Sequence, residues 1–379
     1  MFSDYYMPVR VLSGRDAVFE HSDVFKKYGS KCLIVCGKSS SASSGALADI
    51  EKVLKKCEVE YTVFDSVTQN PRTVDCRNAG QVARDFGVEY IIGIGGGSQL
   101  DAAKAIAVYA SNKFLSADGI YSGESMLPPL PVILVGTTSG TGSEVTGVSV
   151  LTNESGRKKS VSGENYYARV AFADPKYTYS MPMEVTVSTA IDAFCHAAES
   201  LLSNKAGEQS KMCSVRAVAP LWKAITEMHA SNELPDKATR DELYSCSLFA
   251  GLAINSTGTC YPHTLGYTLT EDYGLPHGKA CAVFLPSFIK RALEYKNAEA
   301  TEFLSMINMN YPEFERTVFS IVDIKGISMT KEQIDAYCER WQSVKNFINS
   351  PGGFSAADAK AVLSELFLKT NVRKTECHL

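Results

Sequence analysis

The chain has 379 residues and a formal net charge of −4. Single hydrophobic cores stop growing near roughly 250 to 300 residues, so this length predicts two domains. A hydrophobic content of 45% and a charged content of 21% are typical of globular proteins and exclude fibrous, disordered and membrane-spanning classes. The slight negative charge, with no basic stripe interleaved with aromatic residues, argues against nucleic-acid binding.

The sequence carries no obvious targeting signal. Its start, MFSDYYMPVR, lacks a basic segment followed by an apolar run, and no stretch approaches the roughly 18 apolar residues that a membrane span needs. The eleven cysteines are scattered as singletons with no CxxC pair, a pattern typical of reduced thiols. We therefore expect a cytoplasmic protein that has no membrane partner.

Short apolar strands alternate with amphipathic helices in the first half of the chain. Helices are predicted through 75–86 and 101–109. The predicted strands are 31–37, 60–65, 90–97, 131–137, 147–153 and 169–175. This alternation of strands and helices predicts an α/β, Rossmann-like dinucleotide-binding domain with a mostly parallel sheet.

The pattern changes at Met181 and Pro182, beyond which apolar residues recur with helical spacing to Leu379. The first predicted helix of this region covers 184–203. We therefore predict an α/β cofactor-binding domain over 1–182 and an all-helical domain over 183–379. The second domain would supply metal ligands and the substrate pocket.

A glycine-rich turn follows the strand YIIGI. It consists of Gly95, Gly96, Gly97 and Ser98, and a helix is predicted to begin at Asp101, which we include in the cofactor-binding set. Glycines at a strand-to-helix turn let backbone N–H groups approach a phosphate, and the helix N-terminus favours its negative charge. The turn therefore predicts a pyrophosphate site, although a tight turn that binds nothing has the same sequence.

A second polar loop, Gly136 to Glu144, follows the strand that ends at Val135. Ligands of open α/β sheets bind at the C-terminal ends of the strands. Two such loops after two strands therefore indicate a single cofactor cleft.

The loop after the first strand bears on the choice of nicotinamide cofactor. It reads Gly37, Lys38, Ser39, Ser40, where an NAD site would be expected to carry an acid for the ribose 2′-hydroxyl. No carboxylate is present to repel a 2′-phosphate, and the lysine and serines can donate to one. This favours NADP(H) over NAD(H), although a solvated loop would look the same.

Four residues suggest a metal site. Asp192 and His196 are four residues apart on one predicted helix face, and His263 and His277 follow in HTLGYTLTEDYGLPHG. A carboxylate with two or three imidazoles suits a divalent metal such as iron or zinc with an open position. Taken alone, the first pair is more simply interpreted as an ordinary surface pair of a helix.

Taken together, the motifs resemble those of the iron-containing (group III) alcohol dehydrogenase family over essentially the whole chain. They are GGGSQLDAAKAIA (95–107), TTSGTGSEVT (137–146), DAFCHAAES (192–200) and HTLGYTLTEDYGLPHG (263–278). The resemblance implies the dehydroquinate-synthase-like architecture and a homodimer. It also implies that Asp192, His196, His263 and His277 bind Fe²⁺, with Zn²⁺ as an alternative.

The resemblance assigns further roles. The family's glycine-rich pyrophosphate segment matches Gly95 to Ser98, and its cofactor lysine matches Lys158, with Lys159 adjacent. The threonine loop that contacts the nicotinamide matches Thr137, Thr138, Thr141 and Ser143. Many members carry a histidine four residues after the third ligand; this chain has Tyr267 there, which would be a poorer base at neutral pH.

These features predict an NAD(P)-dependent oxidoreductase that passes hydride between the cofactor and a small aldehyde or primary alcohol. Lys158 and Tyr267 are the candidate catalytic residues, with Tyr267, water or a ribose hydroxyl as the proton donor. The alternatives are a dehydroquinate-synthase-like lyase, a glycerol-dehydrogenase-like polyol enzyme and a binding protein that retains the scaffold. The lyase would need a basic cluster around the metal, where the sequence offers little beyond Lys279.

Overall fold

A computed structural model describes residues 5–122, 126–342 and 344–368. The strands are β1 (Arg10–Ser13), β2 (Lys31–Cys36), β3 (Glu60–Phe64), β4 (Tyr90–Gly95), β5 (Val132–Gly136), β6 (Val148–Thr152), β7 (Lys158–Ser162) and β8 (Val170–Ala173). The helices before residue 183 are α1 (Ala17–Glu20), α2 (Asp23–Lys26), α3 (Ser40–Ser43), α4 (Ala46–Lys56), α5 (Thr73–Phe86) and α6 (Gly97–Ser111).

Helices account for nearly all regular structure from Met183 onward. They are α7 (Met183–Leu202), α8 (Glu208–Ser231), α9 (Lys237–Thr257), α10 (Tyr261–Tyr273), α11 (His277–Ala282), α12 (Leu285–Glu294), α13 (Ala298–Met306), α14 (Tyr311–Val322), α15 (Lys331–Arg340) and α16 (Ala356–Phe367). Short 3-10 segments cover Asp118–Tyr121, Ser143–Val145, Glu164–Tyr166, Pro175–Thr178 and Lys345–Asn349. No helix in the described ranges combines the length and apolar character that a membrane crossing requires.

Six strands form one parallel sheet in the order β1-β8-β5-β4-β2-β3, which confirms the predicted α/β fold class. The chain runs outward from β2 to β3 and then returns to add β4 on the other side of β2. The loops that follow β2 and β4 therefore diverge at a topological switch point, where such sheets bind ligands. The predicted cofactor loops, 37–40 and 95–98, are the loops at this point.

The sheet separates two apolar cores because successive side chains of a strand point to opposite faces. Leu33 and Val35 of β2 pack with α5 and α6 on one face. Ile34 and Cys36 of the same strand pack with α1, α2 and α4 on the other. Burial on both faces explains why these strands read as continuous apolar runs rather than alternating ones.

The chain forms two compact units, and they differ from the predicted division at 182/183. The first unit runs to Leu201 and includes Ala206–Thr257; the second contains Leu202–Lys205 and the chain from Gly258 onward. Arg240 of α9 helps to join the helices to the first unit, since it donates to the carbonyl oxygens of Thr178 (2.9 Å) and Met181 (3.0 Å). The change to helical structure does fall at Met183, as predicted.

The second unit is built from α10 to α16. The ring of Tyr261, the first residue of α10, stacks on Phe354 with centroids 3.8 Å apart. Asn204 ties the short 202–205 segment to this unit, because its side-chain amide donates to the carbonyl oxygens of Ile348 (3.0 Å) and Ser350 (2.6 Å). The unit therefore has its own buried centre around α10.

Candidate active site

The glycine-rich turn connects β4 to α6. Gly95 has φ +152°, and a Cβ there would lie 2.6 Å from the side chain of Gln99. Helix α6 begins at Gly97, four residues earlier than predicted, so Gly97 and Ser98 lie in its first turn. The free N–H groups of that turn are the donors that a pyrophosphate would use.

The threonine loop lies directly against this turn. Gly95 and Gly136 are paired at the ends of β4 and β5, and the backbone N–H of Thr137 donates to the carbonyl oxygen of Gly95 at 2.9 Å. A Cβ on Gly97 would lie 2.6 Å from the methyl group of Thr141. The two predicted cofactor loops therefore form one continuous surface.

Two hydroxyl groups on this surface indicate a ligand. Thr137 and Ser139 are buried, and neither Oγ atom has a hydrogen-bond partner among the described residues. Buried polar groups in folded proteins nearly always have partners, because leaving one unsatisfied costs about 1–3 kcal/mol. Polar groups of a nicotinamide cofactor would supply such partners, so the loop fits that cofactor.

Asp101 and Ser143 bond to each other rather than projecting freely. The Ser143 hydroxyl donates to Oδ1 of Asp101 at 2.6 Å, and Lys104 Nζ donates to the Ser143 hydroxyl at 2.8 Å. Burial raises the pKa of the Asp101 carboxyl and lowers the pKa of the Lys104 amine, while the attraction between the two groups opposes both shifts. Both predicted cofactor residues therefore also brace the loop.

The Gly37 to Ser40 loop lies at the end of β2. The hydroxyl of Ser41 donates to the carbonyl oxygen of Gly37 at 2.7 Å, which folds the loop back on itself. Lys38, Ser39 and Ser40 are exposed. These side chains are therefore available to a ligand from solvent.

Lys158 lies on β7, a strand that the sequence pattern did not predict. It is half-buried and pairs with Thr152 across the β6–β7 hairpin. Lys159 is on the opposite face, with Nζ 4.6 Å from the centroid of the Tyr121 ring. The two adjacent lysines therefore have different surroundings.

In the first unit, α7 carries one pair of predicted metal ligands. Asp192 and His196 are both buried, and Oδ1 of the aspartate lies 3.9 Å from Nε2 of the histidine. The expectation that they share a helix face is confirmed by this distance. A surface pair would be exposed, so burial disfavours that alternative.

In the second unit, α10 and α11 carry the other pair. His263 is buried and His277 is half-buried, with ring centroids 5.6 Å apart. Gly274, with φ +68°, caps the C-terminus of α10, and the short turn that follows brings His277 back beside this helix as the first residue of α11. Tyr267 stacks on the His277 ring at 5.3 Å with an interplanar angle of 7°.

Cys281 is a neighbour of these histidines that the sequence analysis did not single out. Its Sγ lies 3.7 Å from Nδ1 of His277, and His263, His277 and Cys281 offer ligand atoms within 4.8 Å of one another. The signal was present, since Cys281 follows His277 by one helical turn. Imidazole nitrogens with a nearby sulfur and a tyrosine are suitable surroundings for a divalent metal such as iron or zinc.

Family models describe most of the chain. The iron-containing alcohol dehydrogenase model matches residues 8–175, and the C-terminal model of the Fe-containing alcohol dehydrogenase family matches residues 186–350. The chain belongs to the iron-containing alcohol dehydrogenase family. The predicted resemblance is thereby confirmed, and the chain is an oxidoreductase of a family that uses a metal and a nicotinamide cofactor.

Similar proteins agree with this assignment. Long-chain-alcohol dehydrogenase 1 of Geobacillus thermodenitrificans is 32% identical over 92% of each chain. An iron-containing alcohol dehydrogenase of Thermotoga maritima has a TM-score of 0.88 and 31% identity, covering 96% of this chain and 99% of that one. Sulfoacetaldehyde reductase of Bifidobacterium kashiwanohense, solved with NAD⁺, has a TM-score of 0.84 and 26% identity over 97% and 99%. These relatives favour the dehydrogenase prediction over the lyase and polyol alternatives.

Proposed function

We propose that this family member reduces a small aldehyde to the primary alcohol with NADPH, using a divalent metal, Fe²⁺ or Zn²⁺, held by Asp192, His196, His263 and His277. The observation that carries the proposal is the packing of the glycine-rich turn against a threonine loop whose buried Thr137 and Ser139 hydroxyls have no partner among the described residues. This packing provides a phosphate site and a nicotinamide site side by side.

Each group then has a defined task. A bound metal supplies Lewis acidity toward the carbonyl oxygen, and the nicotinamide supplies the hydride. Backbone N–H groups at Gly96 to Ser98 bind the pyrophosphate, and the threonine loop orients the nicotinamide ring. Lys158 places positive charge beside the cofactor, and the Tyr267 hydroxyl, or a water molecule that it holds, gives a proton to the alcohol oxygen.

Preference for NADPH rests on the loop after β2. Three exposed donors, Lys38, Ser39 and Ser40, follow Gly37, and none of these residues is a carboxylate. A 2′-phosphate would gain charge-assisted hydrogen bonds here, whereas a carboxylate would repel it. The NAD⁺ in the sulfoacetaldehyde reductase structure belongs to a relative with 26% identity, whereas the NADPH proposal rests on the loop of this chain.

The primary test follows NADPH and NADH consumption against a panel of small aldehydes, using protein loaded anaerobically with Fe²⁺ or with Zn²⁺. We expect turnover with NADPH to exceed turnover with NADH, and we expect His196→Ala to lose both metal and activity. Unchanged metal content and turnover in His196→Ala would overturn the ligand assignment. Consumption of neither cofactor with any aldehyde would overturn the proposed function.

The cofactor preference has a separate test in Lys38→Ala and Ser39→Asp. Both should raise the KM for NADPH by about tenfold or more and leave the KM for NADH nearly unchanged, because only NADPH has the 2′-phosphate. Lys223→Ala, which removes an exposed lysine from α8, is the matched control. A wild-type preference for NADH would contradict the proposal about this loop and leave the enzyme class intact.

We also propose a homodimer in the cytoplasm. The family resemblance supports the dimer, and the ten described cysteines, all without a disulfide, agree with a reducing compartment. Sedimentation of the purified protein at two concentrations tests the dimer directly. A single species with the mass of one chain would contradict it.

A further inference from the structure

The buried Lys104 joins the helix of the glycine-rich turn to the end of the threonine loop and to the chain that follows it. Its side chain is fully buried on α6. Its three N–H donors are shared among four oxygens: the carbonyl oxygens of Ser143 (2.7 Å), Thr146 (3.0 Å) and Val148 (2.7 Å), and the Ser143 hydroxyl (2.8 Å). All four acceptors lie within six residues of one segment.

Asp101, one turn earlier on α6, bonds to the same segment. Its carboxylate accepts from the Ser143 hydroxyl (2.6 Å) and from the backbone N–H of Val150 (3.0 Å), and its carbonyl oxygen accepts from the Ser149 hydroxyl (2.8 Å). The carboxylate also lies 3.7 Å from Lys104 Nζ. Two successive turns of α6 therefore hold residues 143–150, which we call the anchored segment.

The cost of this arrangement suggests that it has a function beyond filling space. A buried ammonium group loses its hydration, and apolar residues of similar volume often stabilise a fold as well as a buried ion pair does. Polar networks of this kind fix geometry, because each bond has a preferred length and direction. The geometry fixed here is the position of the threonine loop relative to the N-terminus of α6.

We propose that Lys104 is a positioning residue for hydride transfer. It sets the distance between the pyrophosphate site at the start of α6 and the nicotinamide contacts of the threonine loop. The inference rests on the proposed function, since it assigns these two ends of the cofactor to Gly96 to Ser98 and to Thr137, Thr138 and Thr141. With the anchored segment released, the phosphates still bind, but the nicotinamide is held at the wrong distance from the carbonyl carbon.

The test separates binding from positioning with a cofactor fragment. In Lys104→Met, the affinity for 2′-phospho-ADP-ribose, which lacks the nicotinamide, should stay within about threefold of wild type when measured by calorimetry. The kcat with NADPH should fall about 100-fold, the scale expected when reacting atoms are misplaced by about 1 Å. A purely structural role predicts the opposite, namely parallel loss of fragment affinity, kcat and thermal stability.

Lys104→Met leaves the Asp101 carboxylate without its cation, which could itself unfold the protein. The double variant Lys104→Met/Asp101→Asn removes both charges. It should show the same loss of kcat with retained fragment binding, because the Asp101 carboxylate is bonded to Ser143 and Val150 and, contrary to the sequence-based expectation, is not needed to contact the fragment. Arg291→Met is the matched control, because Arg291 also holds carbonyl oxygens, including that of Pro351 (2.9 Å), but in a loop remote in sequence from the cofactor motifs. It should lower the unfolding midpoint without changing the ratio of kcat to fragment affinity.

The outcomes also distinguish this inference from the proposed function. If wild-type protein binds neither NADPH nor the fragment, the proposed function fails. If wild-type protein turns over and the folded double variant keeps its kcat, the proposed function stands and the positioning role of Lys104 is overturned.

Discussion

Tyr267 fixes the plane of the imidazole that it stacks on. Its ring lies nearly parallel to the His277 ring, 5.3 Å away, and it projects from α10 one turn after His263. Aromatic stacking of this kind contributes about 0.5–1.5 kcal/mol beyond buried area. Tyr267 therefore has two separable properties, a ring that orients a proposed metal ligand and a hydroxyl that can donate a proton.

Two substitutions at position 267 separate these properties. Tyr267→Phe keeps the ring, so metal content should stay as in wild type, while kcat should fall about 100-fold if the hydroxyl is the proton donor. Tyr267→Ala also removes the ring, so metal affinity should fall as well. Metal content is measured by elemental analysis, and kcat is measured with NADPH across a range of pH.

Retention of the wild-type kcat in Tyr267→Phe would assign the proton to water or to a ribose hydroxyl, the other two candidate donors. The shape of the pH profile provides a second readout. Loss of the tyrosine as proton donor should change how kcat depends on pH, whereas a packing defect should lower kcat by the same factor at every pH.

At the scale of elements, Gly266 determines how closely α10 and α11 can pack against each other. A Cβ at Gly266 would lie 2.9 Å from Sγ of Cys281 and 3.0 Å from the Cα and backbone N of the same residue. A side chain is therefore excluded by backbone as well as by sulfur. The glycine allows His263 and His277, on facing helices, to lie 5.6 Å apart between ring centroids.

We expect Gly266→Ala to lower metal affinity by at least about tenfold, because the added methyl group pushes α11 away and overpacking of this kind costs about 1–3 kcal/mol. Gly326→Ala is the matched control: Gly326 has φ +89° and open space around it, so its substitution strains the backbone without moving α10 or α11. Competition with a chromophoric chelator measures the affinity. An equal loss in both variants would show that general destabilisation, not helix spacing, is responsible.

The sequence predicted β2, β4 and β5 because their continuous apolar runs end at glycines, Gly37, Gly95 and Gly136. It missed β1 and β7, and the reasons are physical. Both are short strands, and β7 reads KKSVS, which has little apolar content because only Val161 is buried. The structure of the Lys158 segment was thus beyond the reach of pattern analysis, although family resemblance had singled out the lysine itself.

Site residues were predictable where the chemistry is local. The shared helix face of Asp192 and His196 and the strand-to-helix turn after β4 follow from spacing alone, although α6 begins four residues earlier than predicted. The bonding of Asp101 to Ser143 was not predictable, because it joins residues 42 positions apart through a side-chain hydroxyl. Cys281 was missed for a different reason, since a single cysteine has no distinctive pattern until its helix is placed beside α10.

For the whole molecule, the proposed ligands fall in two pairs on different compact units, Asp192 and His196 on one and His263 and His277 on the other. If all four bind one ion, the ion stabilises only the folded chain, by about 2.7 kcal/mol at a free metal concentration 100 times Kd. Removing the metal with a chelator should lower the thermal unfolding midpoint by several degrees, and restoring Zn²⁺ or Fe²⁺ should recover it.

His196→Ala and His263→Ala test whether both pairs take part. Each variant should lose the metal-dependent shift in the unfolding midpoint, because removing one ligand from either pair lowers the affinity for the same ion. His229→Ala, at an exposed position on α8, should keep the full shift. If one ligand variant kept the shift and the other lost it, the metal would belong to a single pair, and the four-ligand site would be ruled out.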